Sequence, residues 1–325
     1  MDPMRTDVLL VGGGPVGLYG AYYAGFRGLR TVVVDALPQV GGQITAMYPE
    51  KLIHDVAGFP AVRGRDLVDA LADQAGQFSP TYLLGDTVAG LGYVDGRPVL
   101  RTQGGRIIHA GAVIVTGGIG QFRPRRLPAG YQYEGRGLVY FVPRPEEHSG
   151  QDVVVVGGGD SALDWAQALH PIAKSVTLVH RRERFRGHAH SVQQLMRSPV
   201  NVLTSSEIAR IHGERHVEAV DVIQRPAGSV RTVRAQAVIA ALGFLADLGP
   251  LESWGLETQA RQLRVSTTMA TNLARVYAAG DIATYPGKVR LISVGFGEVA
   301  TAVNNAAAVI DPALDVFPGH STDAA

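Results

Sequence analysis

One pattern constrains this chain more than any other: a glycine-rich βαβ sequence that occurs twice. Residues 8 to 35 read VLLVGGGPVGLYGAYYAGFRGLRTVVVD, an apolar run, a glycine turn, a helical stretch with small residues at its start, and a second apolar run closing on a carboxylate. Gly12, Gly14 and Gly17 satisfy G-x-G-x-x-G, and Asp35 follows Gly17 by 18 residues. Gly12 permits the tight turn out of the strand, Gly14 lets backbone N–H groups approach a pyrophosphate at the positive end of the helix, and Gly17 lets helix and strand pack closely. An acid at this spacing meets a ribose hydroxyl, so the segment predicts a dinucleotide site.

The second copy reads DVVVVGGGDSALDWAQALHPIAKSVTLVH over residues 152 to 180, with Gly157, Gly159 and Ala162 in G-x-G-x-x-A. Its offset from the first copy is constant at 145 residues (157 − 12, 159 − 14, 162 − 17), which puts His180 in the register of Asp35. Asp160 and Ser161 open its helix, at the end where a pyrophosphate would bind. The segment after it is HRRERFR, so Arg181, Arg182, Arg184 and Arg186 crowd the place where a ribose would lie. A 2′-phosphate explains both changes, because losing the acid removes repulsion and guanidinium groups add charge-assisted hydrogen bonds. The second site is therefore expected to take NADPH in preference to NADH. The competing reading is a solvated basic turn, from which only the register distinguishes it.

The remaining chain is read around these two anchors. With 325 residues, a two-domain organisation is expected. A 46% hydrophobic and 18% charged composition excludes wholesale disorder, and a formal net charge of +1 gives no global argument for nucleic acid. No apolar run reaches the ~18 residues that would span a bilayer, and the first residues, MDPMRTD, lack the pattern of a secretory signal. A cytoplasmic protein without membrane attachment is expected. The chain contains no cysteine, which excludes disulfides and any Cys-x-x-Cys redox centre, and no spaced metal ligands occur. Gly41, Gly42 and Gln43 follow the second strand in a loop that also carries Tyr48. Residues 64 to 78 have helical spacing, and residues 83 to 115 read as a small antiparallel layer returning to a buried strand that ends at Thr116, Gly117 and Gly118. Residues 200 to 242 alternate in short runs that complete the second domain, and Gly243 or its neighbours are expected to make the crossover back. Asp281 stands just beyond a short apolar strand, before a long small-residue helix whose positive end points at the first site.

The two nucleotide motifs at this separation, GGQ at 41–43, HRRERFR at 180–186 and AAGD at 278–281 resemble the low-molecular-weight thioredoxin reductase family of flavoproteins over essentially the whole chain. Lacking the family's Cys-x-x-Cys pair, the sequence is closer to the thioredoxin reductase-like ferredoxin/flavodoxin–NADP+ reductases. Three segments carry this narrower resemblance: AMYPEKLIHDVAGFP, GDIATYPGKVRLISVGFGEVATAVNNA and a C-terminal extension with His320, Ser321 and Thr322. Thr116-Gly117-Gly118, where the larger family often has Ala-Thr-Gly, and FVPRPEEHSG at 141–150 depart from its pattern.

The resemblance implies an α/β fold of two Rossmann-like, three-layer nucleotide-binding domains. The FAD domain is discontinuous, residues 1–117 and 244–325, and the NADPH domain spans 118–243. It implies a homodimer that passes electrons between NADPH and a ferredoxin or flavodoxin by hydride transfer to FAD, with no covalent catalyst. The flavin contacts carried over are Gly14, Pro15 and their turn, Asp35, Gln43, Tyr48, Val88 near the adenine, Phe122, Asp281 and Thr322. Tyr48 and His320, the latter from the neighbouring subunit, would stack on the two faces of the isoalloxazine. An acidic carrier would meet a basic rim, for which Lys51, Arg63, Arg123, Arg125, Arg126, Lys288 and Arg290 are candidates. The same two sites would also serve an NADPH-dependent diaphorase, oxidase or quinone reductase, or a nucleotide-sensing flavoprotein without enzymatic activity.

Overall fold

A computed structural model describes residues 3–120, 123–245 and 247–319. The chain divides into two compact units, one of Met1–Phe122 with Ala246–Ala325, the other of Arg123–Leu245. The first is built on a seven-stranded sheet. Thr81–Leu84, Thr31–Asp35, Met4–Val11 and Ile107–Val115 run parallel in that spatial order. The free side of Ile107–Val115 is shared: its beginning pairs antiparallel with Arg97–Thr102, its end parallel with Val276–Ala278. The run of residues 83 to 115 thus holds the expected antiparallel pairing, Val88–Val94 with Arg97–Thr102, returning to the buried strand Ile107–Val115, and it extends the main sheet.

Unbroken apolar strands are what a sheet covered on both faces requires. Because successive side chains point to opposite faces, Val8, Leu10, Val33 and Ile114 meet helices Pro15–Phe26 and Ile292–Ile310 through Ala21, Ala24, Val299, Ala302 and Val303. Leu9, Val32, Val34, Val113 and Val115 face Leu248, Leu251, Trp254 and Leu263 on the other side. Each such side chain contributes ~1.5–3 kcal/mol of burial, and two cores in one unit fix the sheet register that brings the strand ends together.

In the second unit five parallel strands lie in the order Leu138–Val139, Ala237–Ala240, Asp152–Val156, Ser175–Val179, Asn201–Leu203. A three-stranded antiparallel sheet, Ser206–His212, Ala219–Gln224 and Ser229–Arg234, shares a core with them. Ile211, Val220 and Val222 there meet Val154, Val156 and Val179. The unit begins and ends as one ribbon, Arg123–Pro124 paired antiparallel with Phe244–Leu245. Gly243, at φ 80°, makes the turn into it and its carbonyl accepts the Arg125 N–H at 2.9 Å.

Candidate functional site

The first glycine turn is shaped by backbone. Gly12 sits at φ 116° and donates its N–H to the Val34 carbonyl at 2.8 Å, and a Cβ on it would lie 2.6 Å from the Thr116 carbonyl oxygen. A Cβ at Gly17 would fall well under 3.0 Å from the Gly12 carbonyl oxygen, so helix and strand approach to a distance only glycine allows. Helix Pro15–Phe26 starts after Gly14 with proline in its first turn and no side-chain cap, leaving its positive end without a side-chain acceptor. Asp35 closes the turn: its Oδ2 accepts the Gly13 N–H at 2.6 Å and its Oδ1 the Leu37 N–H at 2.7 Å. Burial nevertheless pushes its pKa up, against those two bonds.

A second glycine floor abuts the first. Gly41 and Gly42 have φ of 100° and 56°, and the Gly41 N–H reaches the Gly13 carbonyl at 2.8 Å. This left-handed turn starts the short helix Gly42–Met47, where the sequence reads as loop, and Tyr48 caps its end. Gln43 lies against the Thr116–Gly118 corner, where a Cβ on Gly118 would come 2.9 Å from its amide nitrogen. Tyr48 carries the Lys51 ammonium over its ring at 5.5 Å, and burial, then the charges of Asp281 and Asp55, push its hydroxyl up to about 12. Asp281 follows Gly280, at φ 81°, and the side chain of Asp281 makes no hydrogen bond among the described residues. Its pKa is raised by burial and held back by Lys288 and Arg290. Helix Ile292–Ile310 also begins without a side-chain cap, and its Gly295 leaves room for Val16 of the first helix beside Gly280.

Gly12, Gly14, Pro15, Gly17, Asp35 and Gln43 are thus gathered round one pair of glycine turns, with Tyr48 and Asp281 coupled electrostatically to one another nearby. Val88 is 4% exposed and packed with Val32, Val34 and Leu83. What it can offer a ligand is its backbone. Phe122, His320 and Thr322 lie outside the described residues. Of the basic residues expected on a rim, Lys288 turns its charge inward: its side chain is only 6% exposed and is paired with Glu298. Arg290 donates to the Gln262 side-chain oxygen at 2.8 Å. Glu298 carries no sequence motif. The available signal was a charged residue three after Gly295 and four before Ala302, on the small-residue stripe of the helix.

The second turn repeats the first with different chemistry. Gly157 donates to the Val179 carbonyl at 3.0 Å, and Gly159 precedes helix Asp160–Leu169, again without a side-chain cap. Ser161 is exposed on its first turn. His180 is 6% exposed, and its imidazole occupies the space that a Cβ on Gly158 would need, the counterpart of the Asp35–Gly13 bond. The ring stacks on Phe185 at 5.0 Å and its Nε2 lies 3.1 Å from the Arg184 carbonyl oxygen. Burial, assisted by the neighbouring arginines, depresses its pKa, so the ring is neutral at pH 7 and Nε2 donates. The Arg186 N–H bonds the Gly158 carbonyl at 2.7 Å, and the His188 N–H and Nδ1 reach Asp160 Oδ1 at 2.8 and 2.9 Å. The arginine segment is therefore tied to the glycine turn at three points. Arg181, Arg182 and Arg186 themselves are exposed and form no ion pair among the described residues.

Two doubly wound α/β units, each with a glycine turn opening onto an uncapped helix, are a two-domain fold of the Rossmann nucleotide-binding type. Residues 6–306 match the family model described as pyridine nucleotide-disulphide oxidoreductase, and the chain belongs to that family. It is 59% identical to a ferredoxin–NADP reductase of Salinispora tropica over 98% of this chain and 99% of the relative. It is 60% identical to the protein of the same name from Frankia alni, over 97% and 98%. The fold is that of T. acidophilum thioredoxin reductase, with a TM-score of 0.84 over 94% of this chain and 98% of that one at 24% identity.

Proposed function

We propose that this chain is an FAD-dependent ferredoxin–NADP+ reductase, acting as a homodimer between NADPH and a ferredoxin or flavodoxin. The observation that carries the reading is the near-full-length identity of 59% to proteins of that name. The first cradle fits a flavin dinucleotide: its glycines keep Cβ atoms away from backbone, its helix end has no side-chain acceptor, and the half-buried Asp281 carboxylate is free to accept a hydroxyl. When bound, FAD supplies the exchange between a hydride and single electrons that an NADPH-to-ferredoxin couple needs.

The chain's own residues bind and orient. Gly12, Gly14, Pro15 and Gly17 supply close backbone approach for the pyrophosphate, and Asp35 keeps acceptor capacity for the adenosine ribose beyond its two backbone bonds. Gln43, Tyr48 and Asp281 serve the flavin end, with Tyr48 as the stacking ring. In the second unit Gly157, Gly159, Asp160 and Ser161 hold the NADPH pyrophosphate end, and Arg181, Arg182 and Arg186 take the 2′-phosphate. His180 acts through the loop it pins. Val88 contributes its backbone beside the adenine.

The test is steady-state. Protein purified with its flavin is given NADPH and, in parallel, ferredoxin, thioredoxin, menadione and oxygen, and the flavin is identified after denaturation. Released FAD, ferredoxin turnover well above the menadione and oxygen controls, and no turnover with thioredoxin are expected. Release of FMN, or quinone reduction without ferredoxin reduction, would replace this reading by that of another flavin enzyme.

A further inference from the structure

Glu298 sits in the second turn of helix Ile292–Ile310 on the face that buries Gly295, Val299, Ala302 and Val303. A carboxylate on an apolar helix face is costly unless its oxygens are engaged, and here both are. Oε2 accepts the Gly280 N–H at 2.8 Å, and Oε1 accepts the Tyr285 hydroxyl at 2.6 Å together with the Lys288 ammonium. The side chains of Glu298 and Lys288 are 5% and 6% exposed. All three donors belong to residues 280–288, so one buried side chain ties the whole Asp281 loop to the helix. Gln262 also holds this loop, donating to the Asp281 carbonyl at 2.6 Å while its own oxygen takes Arg290. The Asp281 carboxylate makes no hydrogen bond among the described residues and is half-buried, its charge opposed by burial and by Glu298 and Asp55 and favoured by Lys288 and Arg290.

We propose that Glu298, with Lys288 and Tyr285, is a positioning residue for flavin binding, fixing the Gly280–Asp281 turn so that the free Asp281 carboxylate is presented to a flavin hydroxyl. The inference rests on the reading of this cleft as the FAD site. Lys288 pairs with Glu298 rather than hydrogen-bonding Asp281, which leaves the Asp281 carboxylate open as an acceptor. A purely structural role would make a different demand, since replacing a buried ion pair by apolar side chains of similar volume is often neutral for stability.

The experiment compares purified wild-type holoprotein with E298Q, K288M/E298M and Y285F, reading thermal unfolding, the flavin absorption band and the rate of FAD release on dilution. K288M/E298M is expected to unfold within about 3 °C of wild type yet release FAD at least tenfold faster, and Y285F to release it about fivefold faster with unchanged stability. E298Q, which strands Lys288 without its counter-charge, is expected to lose both stability and flavin. Release rates at the wild-type value in Y285F and K288M/E298M, or release that changes only in step with the unfolding temperature, would overturn the positioning role alone. Wild-type protein that binds no FAD would overturn the reading of the cleft and this inference together.

Discussion

Asp35 and His180 occupy the same register of two copies of one motif, and they fill the space beside its glycine turn in two different ways. Asp35 spends one oxygen on the Gly13 N–H, whereas His180 fills the equivalent space with a ring and turns its nitrogen to the Arg184 carbonyl. Removing a carboxylate from beside Arg181 and Arg182 leaves their guanidinium groups free for a phosphate. R181A/R182A is expected to weaken NADPH by ~2–4 kcal/mol and NADH far less, as two charge-assisted bonds are lost. Titrating both coenzymes against the variant checks it, and equal losses would make the segment an ordinary basic surface. The depressed pKa of His180 sets a pH dependence with a definite sign. Burial lowers the folded value below 6.5, so the unfolded chain binds the proton first. The stabilisation is complete above pH ~6.5 and is lost as pH falls through the folded pKa. Thermal unfolding compared between pH 5 and 7.5 is expected to drop more steeply for wild type than for H180Q, and parallel curves would remove His180 from the balance.

At the scale of elements, glycine sets how closely helices approach strands. A Cβ at Gly17 would meet the Gly12 carbonyl oxygen, which is backbone and cannot swing aside. G17A is expected to lift helix Pro15–Phe26 from its strand at a cost of about 3 kcal/mol, with loss of bound flavin; unfolding temperature and flavin content of the purified variant measure it. Normal flavin content would mean the helix accommodates the methyl group. The strands that carry these turns were legible in the sequence, because runs such as VVVV and VIV are diagnostic of a sheet covered on both faces, and the glycine spacing located both turns. Less was legible where the local pattern carries no period. Ser229–Arg234 is a strand exposed along nearly its whole length, so it has no alternation to read. Helix Gly42–Met47 is only six residues long and starts from two left-handed glycines, which look like loop. Lys288 reads as surface and Glu298 as the polar side of a helix, and only tertiary packing brings them together. The burial of His180 was hidden for the same reason: its register is a sequence property, while its neighbour Gly158 explains its environment only once the turn is folded.

At the scale of the molecule, the two units are built on opposite plans. The first is stitched from distant segments: Val276–Ala278 lies beside Ile107–Val115 in one sheet, and helix Ile292–Ile310 shares a core with helix Pro15–Phe26. Cutting the chain between these segments would expose Ala21, Ala24, Val299, Ala302 and Val303 together, so residues 1–122 alone are expected to be insoluble. The second unit is continuous, carries its own core of Val154, Val156, Val179, Val220 and Val238, and has both ends in one antiparallel ribbon, Arg123–Pro124 with Phe244–Leu245. Excising it severs two adjacent chain crossings and leaves every strand of its sheets in place. Residues 123–245 are therefore expected to fold on their own as a colourless protein that unfolds cooperatively and binds NADPH within about tenfold of the full chain, a difference of about 1.4 kcal/mol. Circular dichroism and calorimetric titration of the fragment decide this. A fragment that melts without a transition would show that its core depends on the first unit. A folded fragment that binds NADH as well as NADPH would place the choice of coenzyme outside the arginine segment.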